Sequence, residues 1–203
     1  MDEIVKQAMA KWPNVPVCHG WLALDARGGW RMCDERAQAL QLAGDRIAHP
    51  ALLNFINRNY GVDDAGAWYF QNGPQRVFVD LAATPHIART DPVLGFVLHT
   101  GLPLESIRHA WLSDDGQLLL SNAATVAQLD DRDLEQALAL LHADGAASTE
   151  EAVLQTIRDA AQDLASAGLY MAYQGQRIPV TGIARRDLAR RFGFNPRPRP
   201  DPG

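Results

Sequence analysis

Two stretches of this 203-residue chain follow one pattern, and this repetition constrains the fold more than any other feature of the sequence. The stretches are WYFQNGPQRVFVDL at 68–81 and LYMAYQGQRIPVTGI at 169–183. Each is an aromatic and apolar run that breaks at a turn containing glycine and continues with Gln-Arg and a second β-branched or aromatic run. The pattern predicts a β-hairpin in both places.

Another hairpin is predicted earlier in each half of the chain. GWLALD and GWRMC flank the loop at 26–28 in the first half, and SIRHAWL and QLLLS flank the loop at 114–116 in the second. A helix is predicted between the two hairpins of each half. It is clearest over PALLNFINRNYG, where Pro50 suits the first helical turn and Gly61 ends the helix.

The two halves indicate a duplicated subdomain rather than a solenoid, whose units recur every 20–50 residues. The equivalent residues are Trp21 and Trp111, Tyr69 and Tyr170, Gln75 and Gln176, and Arg76 and Arg177. The predicted fold is therefore α+β, with two repeated β-hairpin/helix/β-hairpin motifs packed into one compact body of antiparallel sheets and helices. The alternative is coincidence, since hairpins often begin with aromatic residues and turn at glycine.

The domain prediction follows from the repeat. An N-terminal α+β subdomain covers 1–90 and a C-terminal one covers 91–184, and an arginine-rich helix end with a proline-rich tail covers 185–203. The tail, NPRPRPDPG, has four prolines and no apolar anchor after Phe194, which predicts disorder or polyproline II structure.

Further elements are predicted from capping residues and apolar spacing. They are a helix at 2–11, a helix that begins at Asp34 and ends at Gly44, a buried strand at 93–100, a helix capped by Asp130, a helix opened by a capping box of Ser148 and Glu151 and ended by Gly168, and a last helix over ARRDLARRF.

Composition limits the classes of function. Nineteen basic against 24 acidic side chains give a net charge of −5, which argues against nucleic acid as a partner because phosphate binding needs clustered positive charge. No apolar run reaches the roughly 18 residues that span a bilayer, and the N-terminus lacks the apolar core of a signal peptide. Two cysteines, Cys18 and Cys33, suit a reducing compartment, although one disulfide is compatible with the sequence. We expect a cytoplasmic protein.

Three segments carry a resemblance to a known family. They are GWLALDARGGW at 20–30, GDRIAHPALLNFI at 44–56 and GAWYFQNGPQRVFVDLAATP at 66–85. Together they resemble the bacterial domain of unknown function 1285 family, or a neighbouring uncharacterised bacterial family sharing its fold, over residues 18–185. The resemblance implies an α+β fold of two repeated motifs and a role in ligand binding or signalling. Residues 34–43 depart from it as an insertion, and Gln75 stands where the family tends to have glutamate.

The candidate site residues lie in the repeated hairpins. They are Trp68, Tyr69, Gln75, Arg76, Tyr170 and Arg177. One interpretation brings Arg76 and Arg177 together on an anionic small molecule in a cleft between the repeats, because guanidinium groups bind anions through paired hydrogen bonds. Aromatic side chains would line that cleft. The alternatives are that each arginine pairs with a strand carboxylate such as Asp80, or lies in water, and that the aromatic residues fill a core.

No pattern for catalysis, metal binding or a cofactor is present in the sequence. Cys18, His19, Cys33 and His49 lack the close pairing of zinc ligands, and the aspartates at 114–133 lack the spacing of a calcium loop. Neither a phosphate-binding glycine loop nor a nucleophile elbow occurs. We therefore predict no catalytic residues and no cofactor.

The most basic part of the chain is its C-terminal end. Its arginines are Arg185, Arg186, Arg190, Arg191, Arg197 and Arg199. They could bind nucleic acid, an acidic partner or anionic lipid, or simply form a solvated helix face. The leading hypothesis is a cytoplasmic, non-catalytic protein that binds a small ligand or regulates a partner. The alternative is a protein- or nucleic-acid-binding module built on this helix, and a homo-oligomer is compatible with either.

Overall fold

The structure is a computed structural model that describes residues 1–144, 150–160 and 167–200. The helices are α1 (Glu3–Lys11), α2 (Glu35–Leu40), α3 (Pro50–Arg58), α4 (Leu134–Leu138), α5 (Glu150–Ala160) and α6 (Leu188–Phe192). The strands of the first half are β1 (Cys18–Leu24), β2 (Trp30–Met32), β3 (Asp45–Arg46), β4 (Tyr60–Val62), β5 (Trp68–Asn72) and β6 (Gln75–Leu81). The later strands are β7 (His86–Asp91), β8 (Gly95–Leu98), β9 (His109–Ser113), β10 (Leu118–Ser121), β11 (Val126–Leu129), β12 (Leu141–Ala143), β13 (Leu169–Tyr173) and β14 (Gln176–Ile183).

The chain forms two units, each with its own sheet. The first unit comprises Met1–Pro85, His99–Gly101 and the C-terminal segment from Phe192. The second comprises His86–Leu98 and Leu102–Arg191. These helices and two mixed sheets confirm the predicted α+β class.

Strand order confirms the repeat. The first sheet runs β3-β2-β1-β6-β5-β4, and the second runs β12-β13-β14-β9-β10-β11-β7-β8. Read from the β4 edge, the first sheet has the order β4-β5-β6-β1-β2-β3. Read from the β12 edge, the second sheet begins β12-β13-β14-β9-β10-β11, and these six strands correspond one by one to those of the first sheet. In each unit the first strand of the early hairpin pairs in parallel with the second strand of the late hairpin, β1 with β6 and β9 with β14. The other pairs within these six-strand arrangements are antiparallel.

One predicted equivalence is wrong. In the parallel pairs Ala23 lies beside Asp80, and Trp111 lies beside Thr181. Asp80 and Thr181 hold the same place in the late hairpins, because each stands four residues after the matched arginine. The counterpart of Trp111 is therefore Ala23, and not Trp21. Matching by residue type displaced the alignment by two positions, since the register of the ladder is invisible in a single sequence.

One face of the first sheet forms the core of its unit. Side chains alternate along a strand, so Leu22 and Leu24 on β1 and Val79 on β6 point to the same side, where they are buried. Helix α3 covers this side, with Pro50 in its first turn as predicted. Its Asn57 accepts a hydrogen bond of 2.8 Å from the indole of the buried Trp30, so even the polar edge of that ring is satisfied.

The second unit has a larger apolar core. Residues from β9, β10, β11, β13 and β14 pack together with Ala137 of α4 and Val153 of α5. The predicted buried strand at 93–100 is β8, in a hairpin with β7, which the sequence analysis did not identify. Of the two ends predicted for α5, Ser148 lies outside the described residues, as does the stretch 161–166 before Gly168.

The C-terminal segment packs on the first unit through residues 194–198, so the prediction of a disordered tail is wrong for these residues, while the alternative of polyproline II structure stays a prediction. Phe194 is buried in the first unit, and the Asn195 amide donates a 2.8 Å hydrogen bond to the Gly66 carbonyl. The Leu81 amide donates to the Pro196 carbonyl at 2.9 Å. Pro198 is also buried, and it is the apolar anchor that the sequence analysis did not find after Phe194.

Candidate functional site

The first unit carries a cleft of about 770 Å³ on the face of its sheet opposite α3. Its floor is formed where β1 and β6 run in parallel toward their carboxyl ends, a position where ligand crevices are common in parallel sheets. Alternation along the strands brings Ala23, Arg31 and Asp80 to this face, since Ala23 pairs with Asp80 on one side and with Arg31 on the other.

Helix α2 forms one wall of the cleft. Asp34 caps it as predicted, accepting a 2.7 Å hydrogen bond from the Ala37 amide. The helix does not run to Gly44 as expected, because Gln41 already adopts a left-handed conformation after Leu40. Helix α2 lies close to β1 at Gly20, where an added Cβ would come within 2.9 Å of the Gln38 side-chain oxygen.

The C-terminal segment forms another wall, with Arg197, Arg199 and Pro200 lining the cleft. Arg199 makes a bidentate ion pair with Asp80 on β6, with N–O distances of 2.7 and 2.8 Å. This pairing raises the pKa of Arg199, so its guanidinium stays charged. Farther along β1, His19 stacks on Phe78 at 4.6 Å, and its Nδ1 lies 3.2 Å from the Pro198 carbonyl.

Asp25 and Arg31 form a second ion pair at the end of the β1–β2 hairpin. The Arg31 Nε donates to Asp25 Oδ2 at 2.9 Å, while the amides of Arg27 and Gly29 donate to Oδ1 at 3.0 and 2.7 Å. Burial acts to raise the pKa of Asp25, but these hydrogen bonds outweigh it and hold that pKa below its usual value. Both carboxylate oxygens are thus occupied by donors within the protein.

The charge that remains in the cleft is positive. Three lining arginines, Arg31, Arg197 and Arg199, face two lining aspartates, Asp25 and Asp80, which leaves an excess of one positive charge. Asp25 engages only the Nε of Arg31. Among the residues that the structure describes, no acceptor meets the terminal nitrogens of Arg31 or the guanidinium of Arg197. These groups are available to an anion.

Cys33 lines the cleft as a free thiol, and Cys18 is free as well. Burial, together with the negative charges of Asp80 and Asp34, raises the pKa of Cys33. The thiol is therefore protonated at neutral pH, and the thiolate, which is the nucleophilic form, is disfavoured.

The six residues predicted for a ligand site lie elsewhere on the two sheets. The Arg76 guanidinium stacks over the Tyr69 ring at 4.1 Å, and Arg177 stacks over Tyr170 at 3.8 Å. Arg177 also pairs with Asp144, and not with a strand carboxylate. The same arginine–tyrosine contact in both units is a further mark of duplication.

The remaining two predicted residues also have partners within the protein. Trp68 packs on Tyr60 with 4.8 Å between ring centroids. The side-chain nitrogen Nε2 of Gln75 donates a hydrogen bond of 3.2 Å to the Pro16 carbonyl. None of the six lines the cleft. Their role in ligand binding, and the location of a site between the repeats, stay predictions.

Several cleft residues are recognisable in the sequence, but not as parts of one site. Asp80 was considered as an ion-pair partner, and Arg197 and Arg199 as part of a basic tail. Their convergence depends on the parallel pairing of β1 with β6 and on the return of the tail to β6. The alternation Pro-Arg-Pro-Arg-Pro at 196–200 is the one local signal, since it predicts an extended, stiff segment.

Three arginines around α6 are engaged within the second unit. Arg185 pairs with Asp115, Arg190 pairs with Asp187 at 3.0 Å, and Arg191 lies over the Trp111 ring at 5.1 Å.

In the described ranges, no group of three or more His, Cys, Asp or Glu side chains is arranged to hold a metal ion. No helix in those ranges is long and apolar enough to cross a membrane.

A duplicated six-strand arrangement, with one sheet face covered by a helix and the other carrying a cleft, places the chain among two-unit α+β proteins. A family model described as "Protein of unknown function (DUF2946)" matches residues 1–199, and the chain belongs to this family. No curated protein matches the chain.

Two solved structures of DUF1285 family proteins are similar to this chain. One, from Silicibacter pomeroyi DSS-3, has a TM-score of 0.50 and 14% sequence identity, covering 89% of this chain and 96% of that one. The other, from Shewanella baltica OS155, has a TM-score of 0.39 and 13% identity, covering 57% of this chain and 88% of that one. The first likeness shows a shared fold, which confirms the predicted resemblance to an uncharacterised family of this fold.

Proposed function

We propose that this protein binds a small anionic molecule in the cleft of its first unit, without catalysing a reaction on it. The observation that carries the proposal is the set of guanidinium groups with open donors at the cleft. The terminal nitrogens of Arg31 and the whole guanidinium of Arg197 have no acceptor among the described residues. A carboxylate or phosphate would supply one, through charge-assisted hydrogen bonds.

The arrangement of charges supports binding of an anion rather than a cation. The oxygens of Asp25 accept from two amides and from Arg31, and both oxygens of Asp80 accept from Arg199. A cationic ligand would have to displace these donors. An anion only has to meet donors that are already present, so its binding costs less rearrangement.

The same contacts support binding without catalysis. A general base needs an oxygen or nitrogen free to accept a proton from the ligand, whereas both oxygens of Asp25 and both oxygens of Asp80 already accept hydrogen bonds from the protein. Cys33 is a protonated thiol. The cleft therefore offers positioning and charge but no activated nucleophile at these three residues.

The free thiols of Cys18 and Cys33 also support a cytoplasmic location, where reducing conditions keep cysteines unpaired.

The alternative function, a nucleic-acid-binding module on α6, is less well supported. Arg185, Arg190 and Arg191 already interact within the second unit, so the surface offers less free positive charge than the sequence suggests.

The test is titration of the protein with acetate and with inorganic phosphate, followed by calorimetry or NMR. We expect saturable binding that weakens with added salt, because the attraction is between charges. Replacing Arg197 with alanine removes a donor group for the anion. We expect the affinity to fall about tenfold, the typical effect of losing a hydrogen bond to a charged group.

The matched control is Arg186→Ala in the second unit, which removes the same charge from an exposed site without touching the cleft. Its affinity should stay at the wild-type value. The proposal is wrong if wild type shows no saturable binding, or if the two variants lose affinity equally, since that would indicate only a general charge effect.

A further inference from the structure

The second unit has a depression of about 530 Å³ at the place that corresponds to the cleft of the first unit. Its lining includes Trp111 on β9 and Gly182 and Ile183 at the carboxyl end of β14. By the register of the parallel pairs these positions match Ala23, Leu81 and Ala82, all of which line the first cleft. The two depressions are thus the same site in the two copies of the repeat.

The copies differ most at the floor. In the second unit the indole of Trp111 occupies the space above the sheet, and its Nε1 donates a 3.0 Å hydrogen bond to Ser121. The guanidinium of Arg191 lies over the ring, 5.1 Å from its centroid. The second copy therefore places its own planar aromatic ring, held by an arginine, in part of this space, and the depression that remains is smaller, about 530 against 770 Å³. Such a contact is favourable when partly shielded from water.

In the first unit the same position is Ala23, whose methyl group leaves that space open. Arg31 stands directly beside Ala23 on β2, where the second copy has the apolar Leu119 beside Trp111. Arginines from the segment after Ile183 approach both sites, Arg191 in the second unit and Arg197 in the first. The first copy thus has arginines at the cleft, Arg31 and Arg197, but lacks an aromatic ring at the position of Trp111.

We infer that the cleft of the first unit takes a planar aromatic anion, such as an aromatic carboxylate, in the place that Trp111 fills in the second unit. Ala23 is then the residue that determines specificity, because its small side chain keeps the place of the ring open. This inference rests on the proposed function and specifies its ligand. The ring stacks against a guanidinium, and the carboxylate meets the open donors of Arg31 and Arg197.

The experiment compares the binding of 2-naphthoate and acetate to the full-length protein. Both carry one carboxylate, and only naphthoate carries a planar ring system. We expect naphthoate to bind about tenfold more tightly, the gain typical of an aromatic contact with a guanidinium in a shielded site. If naphthoate and acetate bind equally, the inference is wrong while the proposed function stands. If neither binds, the proposed function is wrong as well.

The decisive variant is Ala23→Trp, which copies the second unit into the first. The fold should accept it, because the equivalent strand position of the second unit carries tryptophan. By the same register, Cys33 stands where the second unit has Ser121, the acceptor of the indole N–H. Naphthoate affinity should fall about tenfold. The control is Val62→Trp on the edge strand β4, where the side chain is 46% exposed and outside the cleft, and it should bind as wild type does.

Far-ultraviolet circular dichroism and thermal unfolding establish whether the variants fold. If Ala23→Trp does not, Ala23→Leu reports the same effect with a smaller group and should also weaken naphthoate binding. Unchanged naphthoate affinity in the folded variant, or equal losses in the Ala23 variant and the Val62→Trp control, would overturn the inference.

Discussion

At the scale of single residues, the cleft is defined by which charged groups are satisfied and which are not. Asp25 and Asp80 are each neutralised by an arginine of the same unit, and these two pairs hold the hairpin end and the C-terminal segment in place. Among the described residues of the cleft, Arg197 is the arginine whose guanidinium has no carboxylate partner. Partly exposed ion pairs contribute little to stability, so their main effect here is on position.

His86 at the start of β7 makes stability depend on pH. Burial lowers its pKa from 6.5 to about 4, so the folded state keeps this imidazole neutral where the unfolded chain would protonate it. The unfolded state therefore binds more protons between those two values, and the free energy of unfolding should fall as the pH drops from 6.5 toward 4. The expected loss is up to about 3 kcal/mol.

Urea unfolding at a series of pH values checks this prediction. His86→Gln should be less sensitive to pH in that range than wild type, whereas His49→Gln, a change at an exposed histidine, should leave the wild-type profile unaltered. A wild-type profile that is flat between pH 6.5 and 4 would contradict the burial of a neutral imidazole.

The sequence offers Arg76 and Arg177 as anion ligands because they recur in the repeat, with a carboxylate partner or water as the alternative. In the structure these two stack on tyrosines of their own sheets, while Arg31 and Arg197 have the open donors. Recurrence marks what both copies need to fold, whereas a site retained in one copy leaves no repeated signal.

At the scale of elements, the C-terminal segment gives the clearest example of a tertiary effect that overrides local composition. Its prolines and arginines predict disorder, but Phe194 and Pro198 are buried and the segment bonds to Gly66 and Leu81. The prolines help, because they restrict the unfolded chain and so reduce the entropy lost when the segment docks.

Phe194→Ala should therefore destabilise the protein by about 3 kcal/mol, the usual cost of removing a buried aromatic side chain. The free energy of unfolding in urea measures the effect. Val93→Ala, at a side chain that is 87% exposed in a hairpin turn, should change it by less than about 0.5 kcal/mol. A disordered tail would instead make the Phe194 substitution as neutral as its control.

Local signals predicted most hairpins and helices correctly. The turns at 26–28 and 114–116 and the capping of α2 by Asp34 follow from residues close together in the chain. The small strands β3, β4, β11 and β12 were missed, because two to four residues at a sheet edge or beside a hairpin carry no periodicity of their own. They are fixed by pairing with strands that the sequence does predict.

At the scale of the whole molecule, duplication explains why the chain builds the same hairpin twice. The sequence supports it through the matched Tyr and Gln-Arg positions, and the structure extends it to six strands in one order with one parallel pair in each copy. The parallel pairing could not be predicted, since it joins strands about fifty to seventy residues apart. The floor of the cleft depends on that pairing, which is why the cleft could not be found from the sequence.

The proposed function depends on divergence between the copies. A core face and a hairpin geometry are preserved in both copies. On the opposite face the first copy has Ala23 in a cleft of about 770 Å³, and the second has Trp111 in a smaller depression of about 530 Å³. Under the proposed function, the first copy binds the ligand, and in the second copy Trp111 takes the place of the ligand's ring.

The central claim is that an anion meets Arg31 and Arg197 in the first cleft. The most direct test is NMR of the arginine Nε–H groups during titration with 2-naphthoate, with Arg186 as the internal control. We predict saturable shifts for Arg31 and Arg197 and none for Arg186. Saturable shifts confined to Arg76 and Arg177, or shifts that never saturate, would contradict it.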